Sequence, residues 1–201
     1  MGGVEWLAFV DEKPKGGNGW KTTPFFYQGG HSRMRAKRPK LMAHEYFRLA
    51  ACCDYTIWID GSIEVTSPVF VPAMLNAVKD SGWAMYRHPR RDCIYDELVA
   101  HLEEQPKKYA HLPVAEQVKT YAEKGMPEHW GLFQATVIVR DMRRWPEAAG
   151  DAWWNECVKW TYADQLSLTY ILWANGWALD TIPGHVLANP YYRWHPHRRD
   201  D

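Results

Sequence analysis

The feature that most constrains the fold is a short apolar run, Tyr55–Ile59, which leads directly into the acidic turn sequence Asp60-Gly61-Ser62. The run consists of β-branched and aromatic residues, which is typical of a strand covered on both faces. An acidic residue directly after such a strand lies at the carboxyl edge of a sheet, where α/β folds bind their ligands. The segment therefore predicts an α/β domain with a ligand site near Asp60.

Strand and helix patterns alternate along the rest of the chain, which predicts one α/β domain over residues 1–201. Strands are predicted at Trp6–Asp11, Thr22–Tyr27, Tyr55–Ile59, Trp83–Tyr86, Ala135–Arg140 and Trp177–Ile182. Helices are predicted at Lys40–Ala51, Pro72–Ser81, Ile94–Glu104, Pro113–Lys124, Pro146–Trp160 and Asp164–Ala174. The aromatic and basic tail, Asn189–Asp201, is expected to be flexible or to close over the site.

Composition narrows the class of protein. Of the 201 residues, 46% are hydrophobic, which is enough for a core, and the 24 basic residues balance 24 acidic ones. A net charge of zero disfavours binding along a nucleic-acid backbone. No apolar run approaches the roughly 20 residues that span a bilayer. The amino-terminal residues lack a signal-peptide pattern, so we expect a cytoplasmic protein, from a bacterium or a phage-infected cell.

The cysteines and the aromatic residues each leave a choice between structure and function. Cys52, Cys53, Cys93 and Cys157 contain no CxxC pair, so the sequence predicts buried, reduced thiols and no zinc site. The chain has 12 Trp and 11 Tyr but only 6 Phe. Rings with a polar edge either stack on sugars or bases or form a core of large side chains, and both interpretations stay open.

The acidic turn is the first candidate for chemistry. If the chain stays extended there, Asp60, Ser62 and Glu64 point to one side. Three oxygen donors on one side can hold Mg²⁺ or Mn²⁺. The alternative is structural, because Asp-Gly is a common turn dipeptide.

Two further segments can bind phosphate. A basic run precedes the Asp60 strand and contains Arg33, Arg35, Lys37, Arg38 and Lys40. The segment from His88 to Glu97, HPRRDCIYDE, follows another predicted strand, and Arg90 or Arg91 can hold a phosphate through paired hydrogen bonds. Each segment has a structural alternative, a solvated face for the first and a surface turn with local ion pairs for the second.

Polar groups near the end of the chain are the last candidates. Asp164 and Gln165 begin a predicted helix, where the acid either caps the helix or joins the amide in binding sugar hydroxyls. His195 and His197 are two positions apart, so an extended tail places them on one side. They either bind a metal or are solvated.

Taken in order, these segments resemble the DUF616 family, the TOD1/MUCI70-type glycosyltransferase-like domains, and more loosely the GT-A nucleotide-sugar transferases. The resemblance spans roughly residues 5 to 175. Its most specific parts are WIDGS, HPRRDCIYDE and the combination of WW with DQLS. It implies a single-domain GT-A-like, Rossmann-like fold with a mixed sheet flanked by helices.

The resemblance also implies roles for individual residues. Asp60 is the first acid of a DxD-like motif that binds Mn²⁺ or Mg²⁺, and Ser62 stands where the motif has its second acid. The residues assigned to the donor nucleotide sugar are Asp11, Lys37, Lys40, Asp60, Gly61, Ser62, His88 and Arg90. The catalytic pair is Asp164 and Gln165. The metal ligands are Asp60, Ser62, His195 and His197.

The expected function is metal-assisted transfer of a sugar, with a UDP-sugar favoured as donor, to a glycan, polysaccharide or protein acceptor. The alternative is an inactive GT-A-like module that binds carbohydrate or acts as an adaptor, which the incomplete DxD motif supports. A lipid amide hydrolase ranks last, because the sequence has no GxSxG or HExxH motif. Nucleic-acid partners and a membrane span are not expected, and the oligomeric state is open.

Overall fold

The computed structural model describes residues 3–10, 19–24, 27, 29–47 and 53–196, and within them the fold is mixed α/β, as predicted. The strands are β1 (Leu7–Val10), β2 (Lys21–Pro24), β3 (Tyr55–Ile59), β4 (Ile63–Val65), β5 (Trp83–Arg87), β6 (Phe133–Asp141), β7 (Asp180–Thr181) and β8 (Tyr192–Trp194). The helices are α1 (Ser32–Leu41), α2 (Ala43–Phe47), α3 (Phe70–Leu75), α4 (Ile94–Glu104), α5 (Pro106–Tyr109), α6 (Val114–Glu123), α7 (Glu147–Lys159) and α8 (Asp164–Asn175). Among these helices, none is long and apolar enough to cross a bilayer.

The main sheet has four strands in the order β3-β6-β5-β7. Strand β6 is antiparallel to both β3 and β5, and β7 is parallel to β5. Strands β3, β5 and β7 therefore run in the same direction, and their carboxyl ends lie at one edge together with the amino end of β6. This edge positions the predicted site.

Two small sheets flank the main one. Strands β1 and β2 pair in parallel, and β4 pairs antiparallel with β8. The sequence predicts neither β4 nor β8, because a three-residue strand carries almost no periodic signal. The tail is thus partly ordered on β4, since Val65 pairs with Tyr192 and Ile63 pairs with Trp194.

Apolar side chains alternate along the sheet and fill two cores. Met85 and Ile138 face a large core formed mainly by α1, α4, α6, α7 and α8, whereas Ala84 and Val139 face a smaller one formed by α3 and the segment after β7. Many of the large rings belong to these cores; Trp83 and Trp153 are fully buried. The structural interpretation of the aromatic composition therefore holds for a substantial part of it.

Strand β3 is covered on both faces, as the sequence predicts, but it is less buried than a central strand. Its five residues are all only half-buried, because β3 is the outer strand of the sheet and pairs with β6 alone. Both faces of β3 are nevertheless covered, since Trp58 packs against the larger core and Ile57 and Ile59 pack against the smaller one. Apolar composition does not distinguish a central strand from an edge strand that packs under neighbouring loops and helices.

The helix in the basic run has other bounds than the sequence predicts. The sequence predicts a helix from Lys40, but α1 begins at Ser32 and ends at Leu41, and a separate α2 follows after Met42. The His31 side chain caps the start of α1 by accepting a hydrogen bond from the Arg33 N–H at 3.1 Å. The run has no amphipathic period, so periodicity does not reveal this helix.

Helix α7 approaches the end of α1 unusually closely at Gly150. A Cβ atom built on Gly150 would lie 2.8 Å from the Leu41 carbonyl oxygen and 2.8 Å from the Trp145 ring. Both distances are shorter than van der Waals contact. Glycine at this position therefore sets how close the carboxyl end of α1 comes to the main core.

We expect Gly150→Ala to lower the free energy of unfolding. Overpacking typically costs about 1–3 kcal/mol, which exceeds the roughly 1 kcal/mol that alanine gains over glycine inside a helix. Urea unfolding followed by circular dichroism measures the change. Ala148→Ser, at an exposed position of the same helix, is the matched control and should shift stability by less than about 1 kcal/mol. A Gly150→Ala protein as stable as the wild type would show that α1 moves away from α7 without cost.

Candidate functional site

Three predicted segments meet at the edge where β3 and β5 end. The Asp60 N–H, directly after β3, donates to the Thr136 carbonyl at 2.9 Å, and the His88 N–H, directly after β5, donates to the Leu132 carbonyl at 2.8 Å. The side-chain amide of Gln165, in the first turn of α8, donates to the Phe133 carbonyl at 3.1 Å. The sheet edge therefore carries the acidic turn, the loop after β5 and the start of α8 side by side.

Lys40 joins the two predicted acids of this edge. Its Nζ lies 3.1 Å from Oδ1 of Asp60 and 3.2 Å from Oδ2 of Asp164, and Lys37 Nζ lies 2.7 Å from the same Asp164 oxygen. The indole N–H of Trp58 donates to Oδ1 of Asp60 at 2.8 Å. Four residues predicted separately from the sequence, Lys37, Lys40, Asp60 and Asp164, thus form one ion-pair cluster.

Lys40 and Asp164 are buried, Lys37 and Asp60 are half-buried, and the charges of the four residues depend on each other. Burial alone would raise the pKa of Asp164, but the ammonium groups of Lys37 and Lys40 outweigh it and hold that pKa well below its usual range. Burial also opposes the charged form of Lys40, yet the carboxylates of Asp164 and Asp60 raise its pKa above the usual value. Both residues are therefore ionised at neutral pH.

Arg140 of β6 fixes the backbone of Lys40. Its Nη2 donates to the Lys40 carbonyl at 2.6 Å, and its guanidinium stacks over the Trp145 ring, 4.7 Å from the ring centre. A cation at the carboxyl end of α1 is favourable because the helix dipole is negative there. Burial lowers the pKa of Arg140 to about 9, so it stays charged at neutral pH.

Lys108 is a further charged residue near this ion-pair cluster, and the sequence analysis did not select it as a site residue. Burial, followed by the positive charges of Arg33 and Lys37, lowers the pKa of Lys108 to about 8. The Tyr162 hydroxyl donates to the Lys108 carbonyl at 2.8 Å, and the Arg33 guanidinium stacks over the same ring. The sequence signal for α5 was a proline followed by two lysines, since proline favours the first position of a helix.

The charges of this site do not balance. We call Arg33, Lys37, Lys40 and Lys108 the cationic cluster. Lys37 and Lys40 contact the carboxylates of this site, those of Asp60 and Asp164, and the charges of Arg33, Lys37, Lys40 and Asp164 all act on Lys108. The excess is positive and, after burial, it is the second cause of the lowered pKa of Lys108. An anionic ligand would relieve this repulsion, so the arrangement favours binding of a phosphate or diphosphate.

The residues expected to hold Mn²⁺ or Mg²⁺ fit a metal ion poorly in this arrangement. The chain turns at Gly61 and Ser62, because the Ile63 N–H donates to the Asp60 carbonyl at 2.9 Å, so the three donors do not line one side of an extended strand. Oδ1 of Asp60 already contacts Lys40 and Trp58. Ser62 is buried, and Glu64 is exposed on the far side of the turn.

The predicted histidine ligand His195 contacts the residues after Asp60. His195 Nε2 is 2.7 Å from Glu64 Oε2, and its N–H donates to the Ser62 carbonyl at 2.8 Å. His195 therefore holds the tail against the turn after Asp60 through these two contacts. His197 and Asp11 lie outside the described residues.

His88 and Arg90 belong to a different group of charges, centred on the buried Glu97. Nδ1 of His88 accepts hydrogen bonds from the backbone of Arg90 and Arg91, and its Nε2 lies 3.8 Å from the Glu97 carboxylate. Arg91 pairs with Glu97 at 2.6 Å, and the exposed Arg90 pairs with Glu104 at 3.0 Å. These contacts shape the loop after β5, as the structural alternative expects.

Gly61 and Gln165 remain accessible at the edge. A Cβ atom on Gly61 would meet nothing within 4 Å, so neither packing nor strain within the chain requires glycine there. Gln165 is half-buried and its amide group is oriented by Phe133. The backbone of Asp164 is fixed in turn by the indole N–H of the buried Trp153, which donates to its carbonyl at 2.8 Å.

We expect Asp164→Asn to destabilise the protein at neutral pH by about 3–5 kcal/mol, because it leaves two lysines with one carboxylate. Since the pKa of Asp164 is lowered by folding, its contribution is complete above the unfolded value of about 4 and is lost as the pH falls through the folded value. The difference in unfolding free energy between wild type and variant should therefore shrink between about pH 5 and pH 2.5. Urea unfolding across this range measures it.

Asp80→Asn serves as the control, because Asp80 is exposed and lies outside the cluster. Its difference from the wild type should be small and nearly independent of pH. A pH-independent difference for Asp164→Asn as well would contradict the assigned ion pairs.

Comparison with known proteins identifies a family. Residues 23–177 match the family model described as TOD1/MUCI70, glycosyltransferase-like domain. No curated protein matches the chain. The matched range includes the cationic cluster, the acids Asp60 and Asp164, and the loop after β5. By this match, the chain belongs to the TOD1/MUCI70 glycosyltransferase-like domain family.

Proposed function

We propose that the protein is a glycosyltransferase that takes its sugar from a nucleotide-sugar donor, with a UDP-sugar favoured. The observation that carries the proposal is the excess of positive charge in the cationic cluster, whose Lys40 contacts Asp60 at the carboxyl end of β3. The family supports a glycosyltransferase-like role in general. The nucleotide, the sugar and the acceptor, a glycan, polysaccharide or protein, belong to the proposal.

The chemical reason is the charge on the leaving group. When the bond between the anomeric carbon and the diphosphate oxygen breaks, its electron pair stays on the diphosphate, which gains negative charge. Fixed ammonium and guanidinium groups stabilise that charge without reorganising. In our proposal Lys37, Lys40 and Lys108 contact the diphosphate, while Arg33 adds positive potential from the start of α1.

Asp164 and Gln165 are the groups proposed to face the transferred sugar. The anomeric carbon becomes positively charged as the leaving group departs, and a nearby carboxylate stabilises such a centre. Gln165 uses its N–H on Phe133, so its amide oxygen is the acceptor that we assign to a sugar hydroxyl. Asp60 has a different role in this scheme, since it keeps Lys40 ionised and oriented.

A divalent metal ion is the cofactor that we expect for this reaction. Mn²⁺ or Mg²⁺ would supply Lewis-acid stabilisation of the diphosphate. The contacts of Asp60 with Lys40 and Trp58 support a scheme in which the cationic cluster itself supplies most of this charge. Binding measured with and without metal separates the two contributions.

The first test is a thermal-shift titration with UDP-, GDP-, dTDP- and CMP-sugars, each with Mn²⁺, Mg²⁺ or a chelator. A ligand present at about 100 times its dissociation constant stabilises the protein by roughly 2.7 kcal/mol. We expect UDP-sugars to raise the melting temperature, and part of that shift to persist in the chelator. Release of UDP on addition of glycan acceptors then tests for transfer.

Each outcome selects one function. A shift that vanishes with the chelator would assign the charge stabilisation to a metal. Binding without UDP release, with any acceptor, would favour the inactive carbohydrate-binding or adaptor module. No shift with any nucleotide sugar, in a folded sample, would overturn the proposal.

Lys108 gives a second, more specific test. Its pKa is lowered to about 8, and a bound diphosphate should raise it again, so binding of UDP at about pH 8.5 should take up roughly 0.7 of a proton. Calorimetry in buffers of different ionisation enthalpy measures this uptake. Lys108→Gln should abolish the uptake and weaken UDP binding about tenfold, which corresponds to about 1.4 kcal/mol.

Lys107→Gln is the matched control, because Lys107 is the exposed neighbour in the same short helix. It should keep both the affinity and the proton uptake of the wild type. If the two variants lost UDP affinity and proton uptake equally, the effect would come from general surface charge and not from Lys108.

A further inference from the structure

A second group of reactive side chains lies at the same sheet edge, outside the cationic cluster. Cys93, at the start of α4, Asp96 in its first turn and His129 in the loop before β6 each offer one ligand atom, and these atoms lie within 4.8 Å of one another. We propose that Cys93, Asp96 and His129 bind a zinc ion. This inference does not depend on the proposed sugar transfer.

Cys93 provides the strongest indication. Its side chain is buried, with 2% of the residue exposed, and no residue in the described part of the chain forms a hydrogen bond with its sulfur. It occupies the N-cap position of α4 without a capping bond from its side chain. This buried N-cap position directs the sulfur toward the same small volume as the donor atoms of Asp96 and His129, as a metal ligand requires.

His129 is oriented by a carboxylate. Its Nδ1 lies 2.7 Å from Oδ1 of Asp92, and its backbone has a φ of 52°, the one positive value found for a non-glycine residue in the described ranges. Zinc-binding histidines commonly direct one ring nitrogen to a carboxylate, which fixes the ring and leaves the other nitrogen for the metal. We assign this orienting role to Asp92.

Main-chain and side-chain hydrogen bonds hold the two segments together. The Gly131 N–H donates to the Asp92 carbonyl at 2.8 Å, so the loop that carries His129 is tied to the residue before Cys93. The Tyr95 hydroxyl donates to the Met126 carbonyl at 2.5 Å and joins the first turn of α4 to the same loop. The three donors therefore need little movement to close on an ion.

The donor set selects the metal. One sulfur, one nitrogen and one oxygen suit zinc, whereas Mg²⁺ and Mn²⁺ prefer oxygen ligands. The acidic side chains of Asp92, Asp96 and Glu128 add negative potential around His129. Because Asp96 and His129 are exposed, the fourth position of a tetrahedral site is open to water.

The sequence analysis predicted that the chain has no zinc site, and that prediction rested on cysteine spacing alone. That rule searches for CxxC pairs, whereas here two ligands lie one helical turn apart and the third comes from a distant loop. The fold brings them together, because His129 precedes β6, which pairs with the strand leading to Cys93.

The test uses the full chain, reduced and stripped of metal, and titrates it with Zn²⁺ against a chromophoric chelator and with Co²⁺ followed by absorption. We expect one equivalent of metal per chain, with a thiolate-to-cobalt charge-transfer band and tetrahedral d–d bands. Cys93→Ser should remove the charge-transfer band. His129→Asn should abolish stoichiometric binding, and asparagine tolerates the left-handed backbone, so this variant should fold.

Two further variants sharpen the result. Asp92→Asn should weaken zinc binding by roughly 10-fold to 100-fold without removing the charge-transfer band, because it changes orientation and not coordination. Cys53→Ser and His111→Asn, both at exposed positions, should bind as the wild type does. Substoichiometric binding by the wild type, or unchanged binding by folded His129→Asn, would overturn the proposal.

Discussion

The buried contact of Lys40 with Asp60 and Asp164 is the interaction on which the architecture of the site depends. A buried ammonium is stable only when carboxylates compensate it, and these carboxylates come from the end of β3 and the start of α8. Three segments far apart in sequence are thus held to one point. The close approach of α7 at Gly150 and the bond from Arg140 bring the Lys40 backbone to that point.

In the function that we propose, the same contact serves both the stability of the fold and the binding of the ligand. Lys37 and Lys40 hold Asp164 ionised, while Lys108 has no carboxylate at salt-bridge distance among the described residues, and burial with the neighbouring positive charges lowers its pKa to about 8. A site in which one cation lacks a carboxylate partner favours the binding of an anion. Folding has already brought the positive charges together, so the anion does not have to offset that unfavourable free energy on binding.

Sequence patterns predicted the regular elements well where the period was strong. Helix α4 has the predicted bounds, Ile94–Glu104, and Asp60 and Asp164 were recognised from their positions at a strand end and a helix start. The pairing of these acids through Lys40 was not predictable, because it depends on the packing of α1, whose basic sequence lacks a helical period. Lys108 and the role of Arg140 were missed for the same reason: burial of a cation is a tertiary property.

The pairing of β8 with β4 bears on where the folding unit ends. The family match stops at residue 177, yet Ile182, Val186 and Tyr192 beyond it are buried in the smaller core, and β7 forms an edge of the main sheet. A fragment cut at the family boundary would expose apolar surface and leave the backbone of Ile63–Val65 without its partner strand. The region shared with relatives is therefore smaller than the region that this chain needs in order to fold, and expression boundaries should follow the second.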